Sequence, residues 1–186
     1  MTALIIIGGI ILLLLIILWS IYNGLVRAKN IVNEAYSGID VQLKKRFELI
    51  PNLIEAVKGY NHHEAETLMT IVESRTGKGT DTSVTSTAQQ DQSITGALKN
   101  FRILVEDYPD LKSNTQFLKL MDNLSQVENE LAMARRYYNG ATRDFNTKIE
   151  IFPAVLIAKS MGFNAVEFYE IEDDNERSIP DLNFKN

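Results

Sequence analysis

Residues Ala3 to Ile21 run ALIIIGGIILLLLIILWSI without one charged side chain, and no other stretch constrains the chain as strongly. As a helix, these 19 residues reach roughly 28 Å at about 1.5 Å each, close to the ~30 Å hydrocarbon core of a bilayer. Trp19 and Tyr22 sit at one end, where amphipathic rings favour the membrane–water interface. A cleaved signal peptide fits poorly. No Lys or Arg precedes the apolar run, the run is too long, and no A-x-A-like site follows it. Residues 1–22 are therefore expected to be an uncleaved transmembrane anchor. Arg27 and Lys29 follow the span closely and nothing basic precedes it. The positive-inside rule then sets the N-terminus outside and the large C-terminal part in the cytoplasm.

Beyond the anchor, apolar residues recur in steps of three and four: Leu25, Ala28, Val32, Ala35, Ile39, Leu43, Phe47, Ile50, Leu53, Val57, then Leu68 and Ile71, with Glu64 the one polar interruption. Such steps draw an apolar stripe down one helix face. Pro51 falls inside the stripe and predicts a kink near Glu48 to Pro51. Residues 77–87, rich in Gly, Ser and Thr, read as a flexible loop. A second helix is expected over Ala88 to Tyr108, with Ile94, Leu98, Phe101, Leu104 and Val105 on one side and Pro109 as its stop. Ser113 and Gln116 have capping-box spacing. The clearest seam follows: Phe117, Leu120, Leu124, Val127, Leu131, Ala134, Tyr138, Ala141, Phe145 and Ile149. Its steps average about 3.5 residues, the repeat of helices packed at small crossing angles. Pro153 should end this helix, and a short closing helix, Ala154 to Met161, should be capped by Gly162. From Glu170 onward the chain is acidic and poor in apolar residues, a mobile tail over 170–186.

The second helix is too short to cover the first, so the closing helix must cover the remainder or an apolar strip stays open. An open strip is a binding surface; alternatively, the extra length only carries the bundle away from the membrane.

No constellation for catalysis emerges. There is no cysteine, which removes disulfides, thiolate metal sites and cysteine nucleophiles. Gly77-Lys78-Gly79-Thr80 only superficially resembles a phosphate loop: Val72 stands where the leading Gly belongs, and Gly79 replaces the Ser or Thr after Lys. His63-Glu64-Ala65-Glu66-Thr67 lacks the second histidine of a zincin. His62 and Glu66 share a helix face and read as solvated surface residues rather than a weak metal site. Glu-x-x-His pairs for a di-iron centre are missing, since Gly59 and Tyr60 precede the histidines by three. Net charge is −5 with both signs mixed along the chain, unlike the concentrated basic footprint of a nucleic-acid binder. Lys44-Lys45-Arg46 lies too far past the anchor for lipid headgroups, so its pairs are expected along the same helix, with Asp40 and Glu48. No catalytic, cofactor or metal residues are assigned, and no small-molecule substrate is expected.

Tyr22-Asn23-x-Leu25-Val26, Ile39-Asp40-Val41-Gln42-Leu43-Lys44-x-Arg46 and Leu49-Ile50-Pro51-Asn52-Leu53 resemble the LemA family. So do Tyr108-Pro109-Asp110-Leu111-Lys112, Glu128, Ala134-Arg135, Tyr138-Asn139, Phe145-Asn146, Phe152-Pro153 and Gly162-Phe163, in that order. The resemblance runs from the anchor to about Tyr169. It implies an all-α bacterial membrane protein with one transmembrane helix, an antiparallel bundle of long helices over 23–169 and a short closing helix, sited in the plasma (inner) membrane. A protein of magnetosome membranes is similar as well, which suggests a structural role at membranes. The family implies no enzymatic activity. Its polar signature positions here are Asn23, Asp40, Arg46, Asn52, Glu128, Arg135, Asn139 and Asn146; polar residues spaced along apolar seams suit inter-helix hydrogen bonds that fix register. The expected function is a membrane-anchored scaffold that associates with itself through helix faces. The alternative is an adaptor presenting its bundle to another membrane protein, such as a protease or envelope-stress component.

Overall fold

The computed structural model describes residues 1–58, 83–106 and 108–170, and the side chains of Val57, Lys58, Leu104 and Lys112 are outside that description. The surface residues His62 and Glu66, the stretch 77–80, the outer seam at Glu64, Leu68 and Ile71, and the tail beyond Glu170 all lie outside the described residues. Among the described residues every regular element is helical: α1 (Thr2–Lys58), α2 (Val84–Val105), α3 (Pro109–Ser113), α4 (Thr115–Glu150) and a 3₁₀ turn (Ala154–Leu156). The protein is all-α, and its backbone divides into two compact units.

The first unit comprises residues 1–53 and 115–168. α1 enters it as one helix of 57 residues with Pro51 inside. Proline removes the bond its N–H would give the carbonyl four residues back, yet Ile50 and Leu53 on either side are wholly buried, and packing holds the helix through it. No side chain in residues 1–24 is buried within the protein. Burial begins at Leu25 and continues through Ala28, Val32, Ala35 and Ile39. α4 supplies the facing seam with Phe117, Leu124, Val127, Leu131, Tyr138, Thr142, Phe145 and Ile149.

Three contacts fix how the helices pair. Tyr36 meets Tyr138 with ring centroids 5.7 Å apart, Lys45 meets Glu130 at 3.2 Å, and Arg46 meets Glu128 at 3.0 Å. In each pair the residue numbers add to 174 or 175. α1 and α4 therefore run antiparallel in a single register, and Glu150 at the end of α4 falls level with residue 24 or 25.

The expected seam needs two adjustments. On α1 the stripe turns at its outer half: Leu43 and Phe47 are only half-buried, while Arg46 is 1% exposed. Arg46 keeps the seven-residue spacing between Ile39 and Leu53, so the heptad carries it into the seam, while Gln42 is half-buried like Leu43 and full apolar burial resumes at Ile50. On α4, Thr142 is fully buried and Ala141 half-buried, a shift of one position.

The end of the unit differs more. The closing helix is absent as a regular helix. Residues 151–162 form a chain of turns around the 3₁₀ segment, with bonds such as Ile157 N–H to the Ala154 carbonyl at 3.0 Å and Met161 N–H to Ile157 at 3.0 Å. Gly162 does cap it. At φ +81 it gives its N–H to the Lys159 carbonyl, and Phe163 gives its own to Ala158, the paired bonds of a Schellman motif that needs a residue tolerant of positive φ.

The second unit comprises residues 54–114 and 169–186. α2 starts at Val84, inside the segment expected to be loop, because Ser83 caps it. The Ser86 N–H donates to Ser83 Oγ at 3.2 Å, and the Thr87 N–H to the Ser83 carbonyl at 3.0 Å, as an N-cap requires. Thr87, Ser93 and Thr95 hydroxyls donate to carbonyls four residues back, which keeps these residues within a helix. α2 ends at Val105, earlier than expected. Pro109 then opens α3 instead of serving only as a stop, a position where its missing N–H costs nothing. The capping box expected next does not form: Ser113 Oγ donates to the Asp110 carbonyl at 2.9 Å, and the following helix starts at Thr115.

Candidate functional site

The polar residues of the first unit gather at the outer end of the α1–α4 seam. Arg46 occupies a heptad position, so the helix period itself carries its guanidinium into the packed interface. There Nη1 donates to Glu128 Oε1 at 3.0 Å. Arg46 is 1% exposed and Glu128 26%, so the pair is desolvated from one side only. Two residues farther along α4, Lys45 Nζ donates to Glu130 Oε2 at 3.2 Å and Gln126 Nε2 to Glu130 Oε1 at 3.1 Å. The hydrogen bond from Gln126, with that from Lys45 and the lysine charge, holds the Glu130 carboxyl below the usual carboxylate range. The basic cluster thus reaches across to α4 through Lys45 and Arg46, correcting the expectation that its pairs stay within α1.

Beside these pairs lies an open groove of about 440 Å³ lined by Lys45, Glu48, Leu49, Asn52, Asn123, Gln126, Val127 and Glu130. Amides, carboxylates and one lysine line it, without a hydroxyl, thiol or imidazole to act as a nucleophile. Its amides, carboxylates and lysine can hydrogen-bond to a polar segment. Among the described residues no group of three His, Asp or Glu side chains is arranged to hold a metal.

At the other end of the seam, polar groups fasten the irregular segment after Gly162 onto α4. Asn146 Nδ2 donates to the Val166 carbonyl and its Oδ1 accepts from the Val166 N–H, both at 2.9 Å. The side-chain amide pairs with this residue as a neighbouring strand would. Tyr138 Oη donates to the Glu167 carbonyl at 2.9 Å, and burial pushes the Tyr138 phenol above its ordinary pKa. Phe163 enters between the helices, 5.8 Å from the Tyr22 ring and 6.4 Å from Phe145, edge to face with both.

The signature positions divide accordingly. Arg46, Glu128 and Asn146 bond across segments. Asn52 lines the groove. Asn23, Arg135 and Asn139 are half-buried, and Asp40 is exposed. Sequence reasoning missed Thr142, and in the second unit it missed the pair in which Tyr169 Oη donates to Asp91 Oδ2 at 2.7 Å. Asp91 is 1% exposed, and this short bond gives its buried side chain a hydrogen-bond partner. The available signal was its spacing from Ala88, Ile94 and Leu98, which sets an Asp on an apolar stripe.

α1 is long and apolar enough to cross a membrane. Comparison with known proteins agrees with the helical architecture. The chain matches the LemA family over residues 35–184. Protein LemA of Metamycoplasma hominis is 31% identical over 155 residues, covering 81% of this chain and 69% of the relative. Magnetosome protein MamQ 2 of Paramagnetospirillum magneticum is 29% identical over 80 residues, covering 43% of this chain and 29% of the relative. Magnetosome protein MamQ of Magnetospirillum gryphiswaldense is 28% identical over 79 residues, again with 29% of its length covered.

Proposed function

This chain belongs to the LemA family, and on that footing we propose that it is a membrane-tethered helical scaffold that associates with further copies of itself through the outer face of α4. The observation that carries the reading is Met133 and Tyr137, one turn apart on that face and 54% and 56% exposed. They lie opposite Leu131 and Tyr138, which point into the seam, so the face is not part of the fold's own packing. Large apolar side chains adjacent on a helix surface are what a partner helix covers.

The tether is the apolar half of α1, and the membrane is the plasma membrane of a bacterium. Arg27 and Lys29 set the bundle on the cytoplasmic side and the N-terminus outside. The reading assigns binding and no catalysis, and the groove's amides, carboxylates and lysine are hydrogen-bonding groups. The similarity to magnetosome proteins supports a structural role at a membrane.

The test is to extract the full chain, fluorescently tagged and at native expression, into native-lipid particles and count copies by stepwise photobleaching. Particles with two or more copies are expected. Single copies throughout would overturn self-association, and a constant second protein in the particles would favour the adaptor.

A further inference from the structure

The turn that replaces the expected closing helix is inside out by the standards of a water-soluble surface. It buries its small residues, Ala154 at 7% and Ala158 at 2%, and exposes its large ones: Ile151 at 52%, Phe152 at 77%, Val155 at 47% and Leu156 at 71%. Scattered apolar residues on a surface need no explanation, but four within six positions form a patch that water does not favour.

The depth of this turn is set by its contacts. The register of α1 and α4 brings Glu150 level with residue 24 or 25, so the chain leaves α4 heading toward the apolar stretch. It returns at Phe163, whose ring packs on Tyr22, and then runs back along α4 past Asn146 and Tyr138. Residues 151–162 are therefore the tip of the first unit nearest the apolar stretch, at the level of Trp19 and Tyr22, themselves exposed. Charge at that level is mostly basic. Arg27, Lys29, Lys148 and Lys159 are exposed there against Glu150, while the nearby Arg143 and Asp144 pair with each other at 3.3 Å.

We propose that the turn 151–161 is a second membrane contact, seating Ile151, Phe152, Val155 and Leu156 in the bilayer interface beside α1 while the surrounding lysines and arginines meet anionic headgroups. Apolar side chains rimmed by cations are the composition of an interfacial lipid-binding element. Exposure that is unfavourable in water becomes burial in lipid. The contact fixes the tilt and rotation of the bundle on the membrane, which a lone span leaves free. The proposal rests on α1 crossing the bilayer, and the experiment tests the two separately.

The chain has no native cysteine, so single labels are clean. Full-length protein carrying Leu14→Cys, Phe152→Cys, Leu156→Cys or Asn129→Cys is labelled with an environment-sensitive fluorophore. Each is reconstituted in phosphatidylethanolamine–phosphatidylglycerol vesicles with and without doxyl-labelled lipid. Leu14→Cys reports the span and Asn129→Cys, on the exposed outer part of α4, reports water. The proposal expects blue-shifted emission at positions 152 and 156, lost on doxyl lipid as at position 14, with position 129 unaffected. Quenching at 14 without quenching at 152 and 156 overturns the proposal and leaves the span standing. A blue shift at 152 that resists doxyl lipid and grows with protein density would assign the turn to a second copy and also overturn it. Absence of quenching at 14 would remove the span and the proposal together. Positions 152 and 156 are the most exposed of the turn's large apolar residues, and circular dichroism checks that each variant keeps its helices.

Discussion

The two ends of the α1–α4 seam solve different problems with the same helix geometry. Near the apolar stretch the seam is carbon: Leu25, Ala28, Val32 and Ala35 face a helix that presents Phe145 and Ile149, and Phe163 closes the gap beside Tyr22. At the outer end charged pairs join the apolar core, with Arg46 on Glu128 and Lys45 on Glu130 beside the buried Ile50, Leu53 and Leu124. Apolar packing is strong and non-directional, so the first end supplies stability but tolerates sliding by a heptad. A buried guanidinium accepts one partner geometry, so the second end supplies register at some expense in stability. Apolar packing runs along the whole seam, through Ile50, Leu53, Leu124 and Leu131 as well, and the charged pairs add alignment at the outer end.

That division can be broken at either end. Phe145→Ala, at a fully buried position, is expected to cost about 3–5 kcal/mol, measured as a denaturant midpoint of the full chain in lipid nanodiscs. A cost under about 1 kcal/mol would show that apolar packing is not the main source of stability. Arg46→Ala should cost about 2–4 kcal/mol. That is below the range for a wholly buried pair because Glu128 is partly solvated, but it includes lost packing of the arginine stem. The double variant Arg46→Met with Glu128→Gln sharpens the comparison. Stability should return most of the way, while spin-label distances between the helices broaden as the register relaxes; a single sharp distance would deny the pair its aligning role.

Asn146→Ala removes both bonds to Val166 and should cost about 1–3 kcal/mol, with faster hydrogen exchange at the Val166 amide. Tyr138 gives a pH signature. Burial holds its phenol proton above the ordinary value, so the folded chain keeps a proton that the unfolded chain releases near pH ~10. Stability should be flat in pH below that point and fall as pH rises past it. Tyr138→Phe should flatten the alkaline decline, and an unchanged decline would assign it to other groups. Glu130→Gln, at a half-exposed site where the Lys45 pair is screened by water, should lower stability slightly, by less than Asn146→Ala.

The helices were legible in the sequence because periodicity survives single exceptions. The α4 seam was read almost residue for residue, and Gly162 announced its own cap. What periodicity could not reveal was which of two adjacent positions faces inward once the repeat drifts. Leu43 and Phe47 look like core by composition but are half-buried, while the heptad from Ile39 to Leu53 selects Arg46, whose charge reads as surface in the sequence. Ser and Thr around residue 85 suggested loop by composition, whereas Ser83 made them the first turn of α2. The apolar turn at 151–161 read as a closing helix because apolarity was equated with burial in protein. The bonds of Asn146 and Tyr169 were invisible for a plainer reason: their partners lie 20 and 78 residues away in the chain, and no local pattern encodes such pairs.

The scaffold reading turns on whether the outer face of α4 meets another copy. Met133→Cys, the only thiol in the chain, can be oxidised in intact membranes at native expression and scored by non-reducing electrophoresis, with Ala132→Cys, exposed but about 100° round the helix, for comparison. The account predicts a band at twice the chain's mass for Met133→Cys, much weaker for Ala132→Cys. Monomer alone from both variants, or equal dimer from both, would contradict it.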